Sequence, residues 1–138
     1  MKKIVYLLFV FSSLYLVSCK PDNNEPTPST GDDRDKFVGT WMCNETSQII
    51  NSSYTISISK SSSNSSEIII NKFYNLVTQA RVTVSVNNVS IPYQSLSSLG
   101  FASGSGTLAA NGKNLSLNYI VKIGSSPNDT CSASCIKQ

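Results

Sequence analysis

The sequence predicts an all-β fold: an antiparallel meander of about eight short strands that close into a small barrel or half-barrel. Three observations carry this. Apolar and polar residues alternate with period two over several runs. Turn-forming clusters punctuate these runs at close spacing. No stretch sustains a helical period.

The alternation is clearest in three places. Tyr54, Ile56 and Ile58 alternate with Thr55, Ser57 and Ser59. Val82, Val84 and Val86 alternate with Thr83, Ser85 and Asn87. Leu115, Leu117, Tyr119, Val121 and Ile123 share one face, with Ile120 the exception on the other. Each run has one apolar and one polar face, as a half-buried antiparallel strand requires. Further strands are expected over residues 37–46, 67–73, 89–93, 104–110 and 130–136. The turns between them lie at 51–53, 61–66, 87–88, 111–112 and 124–129, of which Asn111-Gly112 best suits a two-residue hairpin. Pro92 points to an edge strand or bulge. Asp32–Phe37 suits a single helical turn with an Asp cap before the first strand.

Residues 1–18 have the parts of an export signal. Lys2 and Lys3 are followed by the apolar run Ile4–Phe11, extended by Leu14–Val17. This run falls short of the roughly 20 residues of a membrane span and fits a cleaved signal peptide. It ends in Leu16-Val17-Ser18-Cys19, which resembles the lipobox of bacterial lipoproteins. The resemblance implies cleavage before Cys19, a lipid on its sulfur, and a membrane anchor of two or three acyl chains, enough for stable attachment. By the same resemblance, Lys20, where an Asp would favour inner-membrane retention, implies the outer membrane, on its periplasmic or cell-surface face. Residues 20–35, KPDNNEPTPSTGDDRD, offer nothing to bury and read as a flexible tether. Fully extended they would reach on the order of 50 Å.

Residues 36–138 form one domain with seven basic and three acidic side chains scattered along it. That is a solvated surface rather than a basic stripe, and together with export it argues against a nucleic-acid partner. The cysteines beyond Cys19 are Cys43, Cys131 and Cys135. On one strand, Cys131 and Cys135 would lie about 13 Å apart, past the roughly 7 Å Cα limit for a disulfide. A bridge would therefore join Cys43 to one of them, stapling the first strand to the last.

The chain has no histidine, which removes Ser-His-Asp and Cys-His arrangements and the commonest general base. Its domain acids, Glu45, Glu67 and Asp129, are far apart in sequence. There is no Gly-x-Ser-x-Gly elbow and no Cys-x-x-Cys. No enzyme, metal or cofactor is expected. Gly104-Ser105-Gly106 reads as a bulge or close packing within a strand.

Arg34-Asp35-Lys36-Phe37-Val38-Gly39-Thr40-Trp41 resembles the opening of lipocalin-like, calycin-type barrels. In that family a helical turn leads to a Gly-x-Trp element whose Trp closes one barrel end, often under a basic side chain from a late strand. Lys122 and Lys137 are candidates for that base. The domain also resembles small Bacteroidota lipoproteins of mostly unassigned function. Their Ser/Ile-rich second strand, apolar third strand, Gly-Ser-Gly-Thr strand and late Cys correspond to Tyr54–Lys60, Ile68–Asn71, Gly104–Thr107 and Cys131. The resemblance implies a Cys43–Cys131 disulfide.

It also implies a module that binds a small hydrophobic or amphipathic ligand. Trp41, Tyr54, Phe73, Tyr93, Phe101 and Tyr119 are the candidate ligand-binding residues. The domain is shorter than a standard lipocalin, so a second expectation stands beside the first. It is a solid barrel whose surface binds an envelope protein, a glycan or a host factor. An interior cavity separates the two.

Overall fold

The expected alternation appears as eight strands in a computed structural model that describes residues 31–138. They are β1 (Gly39–Ser47), β2 (Ser52–Lys60), β3 (Glu67–Asn71), β4 (Gln79–Ser85), β5 (Asn88–Leu96), β6 (Gly100–Leu108), β7 (Asn114–Ile123) and β8 (Asp129–Lys137). Each pairs antiparallel with the next, and β8 returns to β1 to close the barrel. Closure removes free sheet edges. Cys19 and the signal peptide lie outside the described residues. No helix among the described residues is long and apolar enough to cross a membrane.

Because the strands run alternately up and down, the barrel has two distinct ends. The chain enters at one, the tether end, which also carries the loops 61–66, 86–87 and 109–113. The loops 48–51, 72–78, 97–99 and 124–128 form the far end. The connection containing Asn111-Gly112 is five residues long, 109–113, since β6 ends at Leu108 and β7 begins at Asn114. Gly112 still takes the positive φ of 68° that its turn requires.

The tether end is sealed by Phe37 and Trp41, both fully buried. The Trp41 indole N–H donates to the Phe37 carbonyl at 2.8 Å. Of Lys122 and Lys137, the second lies over this closure. Its ammonium lies 5.4 Å from the Trp41 ring centre and donates to the Lys36 carbonyl at 2.9 Å. Lys122 points outward from β7. Arg34 donates to the carbonyls of Ser61, Asn64 and Glu67 at 3.2, 2.9 and 3.3 Å. Residues 32–35, tether-like in composition, are thus fastened to the barrel by the Arg34 guanidinium and by Lys60 of β2, which pairs with Asp32 at 3.0 Å and Asp35 at 2.5 Å.

The inner faces mesh large side chains with small ones. Trp41, Tyr54, Phe73 and Tyr119 share the interior with Ala80, Ala102 and Ala133. At Gly104 a methyl group would come within 2.5 Å of the Tyr119 Cβ. At Gly106 it would stand 2.6 Å from a Leu117 methyl. These two glycines therefore serve close packing, one of the two readings of Gly104-Ser105-Gly106.

Two expectations are corrected. The disulfide joins Cys43 to Cys135, not to Cys131. In the β1–β8 register Cys43 faces Cys135 with 3.9 Å between Cα atoms, while Cys131 faces Ser47, four residues up the strand. Cys131 is a buried free thiol. The second correction concerns β5. A bulge between Ile91 and Gln94, beside Pro92, inserts one residue. Beyond it the alternation inverts, so Tyr93, which would share the inner face of Ile91, is turned outward and is 75% exposed. Phe101, opposite Ser95, also points outward and is 43% exposed.

Candidate functional site

Of the six candidate ligand-binding residues, the fold brings Trp41, Tyr54, Phe73 and Tyr119 together inside and puts Tyr93 and Phe101 on the outer wall. The inner four belong to one buried core. Trp41 seals the tether end. Phe73 descends from the 72–78 loop and packs on Tyr119, with ring centres 4.6 Å apart. The outer two stack on each other, 5.2 Å between centres and 4° between planes.

The interior near the far end holds a polar cluster. Glu45 shares the inward parity of Trp41 and Cys43 on β1, so its carboxylate is buried. It accepts hydrogen bonds from the Tyr54 hydroxyl at 2.5 Å and from the Tyr119 hydroxyl. Burial, reinforced by the Glu45 carboxylate, raises the Tyr54 phenol well above its usual range. Burial and the neighbouring Tyr54 do the same to Tyr119. Both phenols stay protonated as donors, so the buried carboxylate is satisfied and sealed.

Asp129, at the start of β8, forms a second such unit. It accepts from the Tyr74 hydroxyl at 2.7 Å and the Gln48 backbone N–H at 3.0 Å. Burial works to raise its carboxyl, but these hydrogen bonds outweigh it and hold the carboxyl below the ordinary value. Cys131 sits close by; burial, then the charges of Glu45 and Asp129, push its thiol upward. A thiol held protonated is a poor nucleophile. The chemistry of this cluster is structural: every acid has its donors.

The open surface is elsewhere. A shallow groove of ≈ 560 Å³ crosses the outer wall between β1, β8, β7 and β6, lined by Thr46, Asn118, Ile120, Thr130 and Ser132. The Tyr93–Phe101 pair borders a hollow of ≈ 300 Å³ that Ile120 and Lys122 also line. A third groove, ≈ 590 Å³, lies beside the 72–78 loop and contains Lys72, Thr78, Gln79, Arg81, Gln94 and Ser97.

The third groove has a cause in the sheet. β4 and β5 pair only from Thr83–Ser90 to Ser85–Asn88. Past the bulge the ladder opens, and the Gln94 side chain replaces the missing strand partner. Its carbonyl accepts from the Arg81 N–H at 2.8 Å and its amide donates to the Arg81 carbonyl at 2.7 Å. Within this seam lies Thr78, 6% exposed, whose hydroxyl alone among the buried side-chain polar atoms of the described residues has no hydrogen-bond partner.

No family model matches the chain, and no curated protein is significantly similar to it. Functional assignment therefore rests on the chain's own chemistry. Sequence reading missed Lys72, Thr78 and Gln79, because a bulge and a left-handed loop bring them beside Gln94. Glu45 carried a signal that was readable: its even spacing from Trp41 and Cys43 places it on the inner face.

Proposed function

We propose that this protein is a solid β-barrel interaction module, held at the cell envelope through lipidated Cys19 and recognising its partner with its outer surface. One observation carries the reading: the inward side chains, Trp41, Tyr54, Phe73 and Tyr119 among them, form one buried core inside the barrel. Lipocalin-like carriers enclose a ligand in a cup. Here Phe73 and Tyr119 take up that space, and two of the aromatics expected in the cup stand outside it. The lipobox-like Cys19, the tether and Lys20 support an outer-membrane lipoprotein of the Bacteroidota kind. The barrel body and its Trp–Lys closure suit the calycin resemblance as architecture, and architecture alone does not imply a carrier.

Trp41 is the single tryptophan of the chain and sits inside the barrel. It therefore reports on any interior ligand. Titrating a soluble, exported Cys19→Ser form with brominated fatty acids should leave Trp41 fluorescence unchanged. Saturable quenching would return the protein to the carrier reading.

A further inference from the structure

We infer that the far end of the barrel docks on a phospholipid surface, with its loop tips inserted among the headgroups. This deepens the reading of an envelope-held interaction module and rests on it: the partner is the bilayer itself.

Three of the four far-end loops carry exposed aliphatic side chains. Ile49 and Ile50 lie between β1 and β2, Val77 between β3 and β4, and Leu99 between β5 and β6. At the tether end Val86 is the one exposed large apolar tip among the described residues. Single exposed apolar residues are ordinary, but their gathering at one end marks a contact surface. The tips are also held out. The Ser47 hydroxyl accepts from the Ile49 and Ile50 N–H groups at 3.1 and 3.0 Å and donates to the Ile50 carbonyl at 2.8 Å. Phe73, buried as a plug, and the Tyr74–Asp129 hydrogen bond root the loop that carries Val77. Apolar side chains fixed in water gain by entering an apolar medium.

The wall just below the tips suits a headgroup layer. Phe101 is the second residue of β6, and Lys122, opposite it, is the last but one of β7. Both therefore stand about 3 Å below the rim. Tyr93 stacks on Phe101 from β5. Aromatic rings and long lysines, apolar in body and polar at the tip, belong at the membrane–water interface. Lys72 adds a second cation for lipid phosphate, and neither lysine has a carboxylate partner among the described residues. The solvent-reachable acids are at the other end: Asp32, Asp33 and Asp35 precede β1, and Glu67 opens β3 beside the 61–66 loop. Glu45 and Asp129 are buried with donors of their own. No exposed carboxylate would have to lose its water or face phosphate as the far end approaches a membrane.

The residue types favour lipid over protein. Protein contacts concentrate on clustered Trp, Tyr and Arg, and Leu and Val are poor anchors for them. Here Ile, Val and Leu stand on separate loops, which fits a fluid surface. The anchoring bilayer is within reach. Residues 20–31, if extended, would span on the order of 40 Å. Tilted barrel strands of nine residues rise only roughly 25 Å.

The test floats the exported Cys19→Ser protein with vesicles of phosphatidylethanolamine and phosphatidylglycerol. The protein should rise with the vesicles saturably, in high salt as in low, because apolar insertion supplies most of the attraction. Val77→Ser should weaken partition about tenfold, and Ile49→Ser plus Ile50→Ser by more, as loss of inserted aliphatic groups implies. Both variants should keep the parent's melting temperature. Met42→Ser plus Ile136→Ser removes an exposed apolar pair from the wall nearer the tether end and should change nothing. Absence of binding at millimolar lipid would overturn the inference. So would full binding by both tip variants, an equal loss in the wall variant, or release by high salt. A soluble dimer that Val77→Ser dissociates would overturn it too, by giving the far end to a second copy. In each of those cases an unquenched Trp41 leaves the solid-barrel reading standing, whereas a quenched Trp41 defeats that reading itself.

Discussion

The two ends of this barrel are built on different principles. At the tether end the groups that close the barrel have permanent partners: Arg34 on three carbonyls, Trp41 on Phe37, Lys137 on Lys36. The far end holds two buried carboxylates, three constrained tyrosines, four left-handed non-glycine residues and one orphaned hydroxyl. It also exposes Ile49, Ile50 and, at 98%, Val77. Local rules are broken more often where the chain is displayed: of the five left-handed non-glycine residues described, only Val86 lies at the tether end. Proteins break such rules chiefly at sites of use.

The largest effects should come from the wall and the tether end. Removing the staple between first and last strands with Cys43→Ser plus Cys135→Ser should cost roughly 4–5 kcal/mol in urea unfolding, given the long loop it closes. Cys131→Ser should leave the bridge intact by thiol counting. Trp41→Ala should cost about 4 kcal/mol by the same assay, since it empties the sealed end.

How far the sequence could be read follows from the same contrast. Strand faces were legible because period-two alternation is local: Tyr54, Ile56 and Ile58 all point inward as read. The disulfide partner was not, because it depends on the β1–β8 register, and registers are set by the whole barrel. Tyr93 failed for a related reason. The bulge beside Pro92 inverts every side chain after it, and Pro announces a bulge without fixing its phase. Thr78 and Lys72 had no signal at all, being ordinary residue types made unusual by the loop that holds them.

Smaller effects sharpen the far-end half of the comparison. Tyr74→Phe removes the hydroxyl from Asp129 and should cost about 1 kcal/mol, with loosened protection of the 72–78 loop in hydrogen exchange. The buried phenols give this end a pH signature. Tyr54, Tyr74 and Tyr119 all titrate above the ordinary phenol in the folded state, chiefly through burial. Their contribution is therefore complete below about pH 10, the unfolded value, and is lost as pH rises beyond it. The tyrosinate absorbance of Tyr54, Tyr74 and Tyr119 should rise in one cooperative step with alkaline unfolding, and Tyr54→Phe should reduce that alkaline loss. Asp129 gives the opposite limb: its depressed carboxyl contributes stability above about pH 4 that is lost on acidification below it. Val77→Ser, at the fully exposed tip, should stay within about 0.5 kcal/mol of the parent.

The central claim is that the barrel interior is occupied by the protein itself. Native mass spectrometry of the exported Cys19→Ser protein, compared with its denatured mass, tests this most directly. A native mass equal to that of the bare, singly bridged chain, with nothing released on denaturation, is the predicted result. A stoichiometric apolar molecule, bound in the native ion and extracted on unfolding, would contradict it.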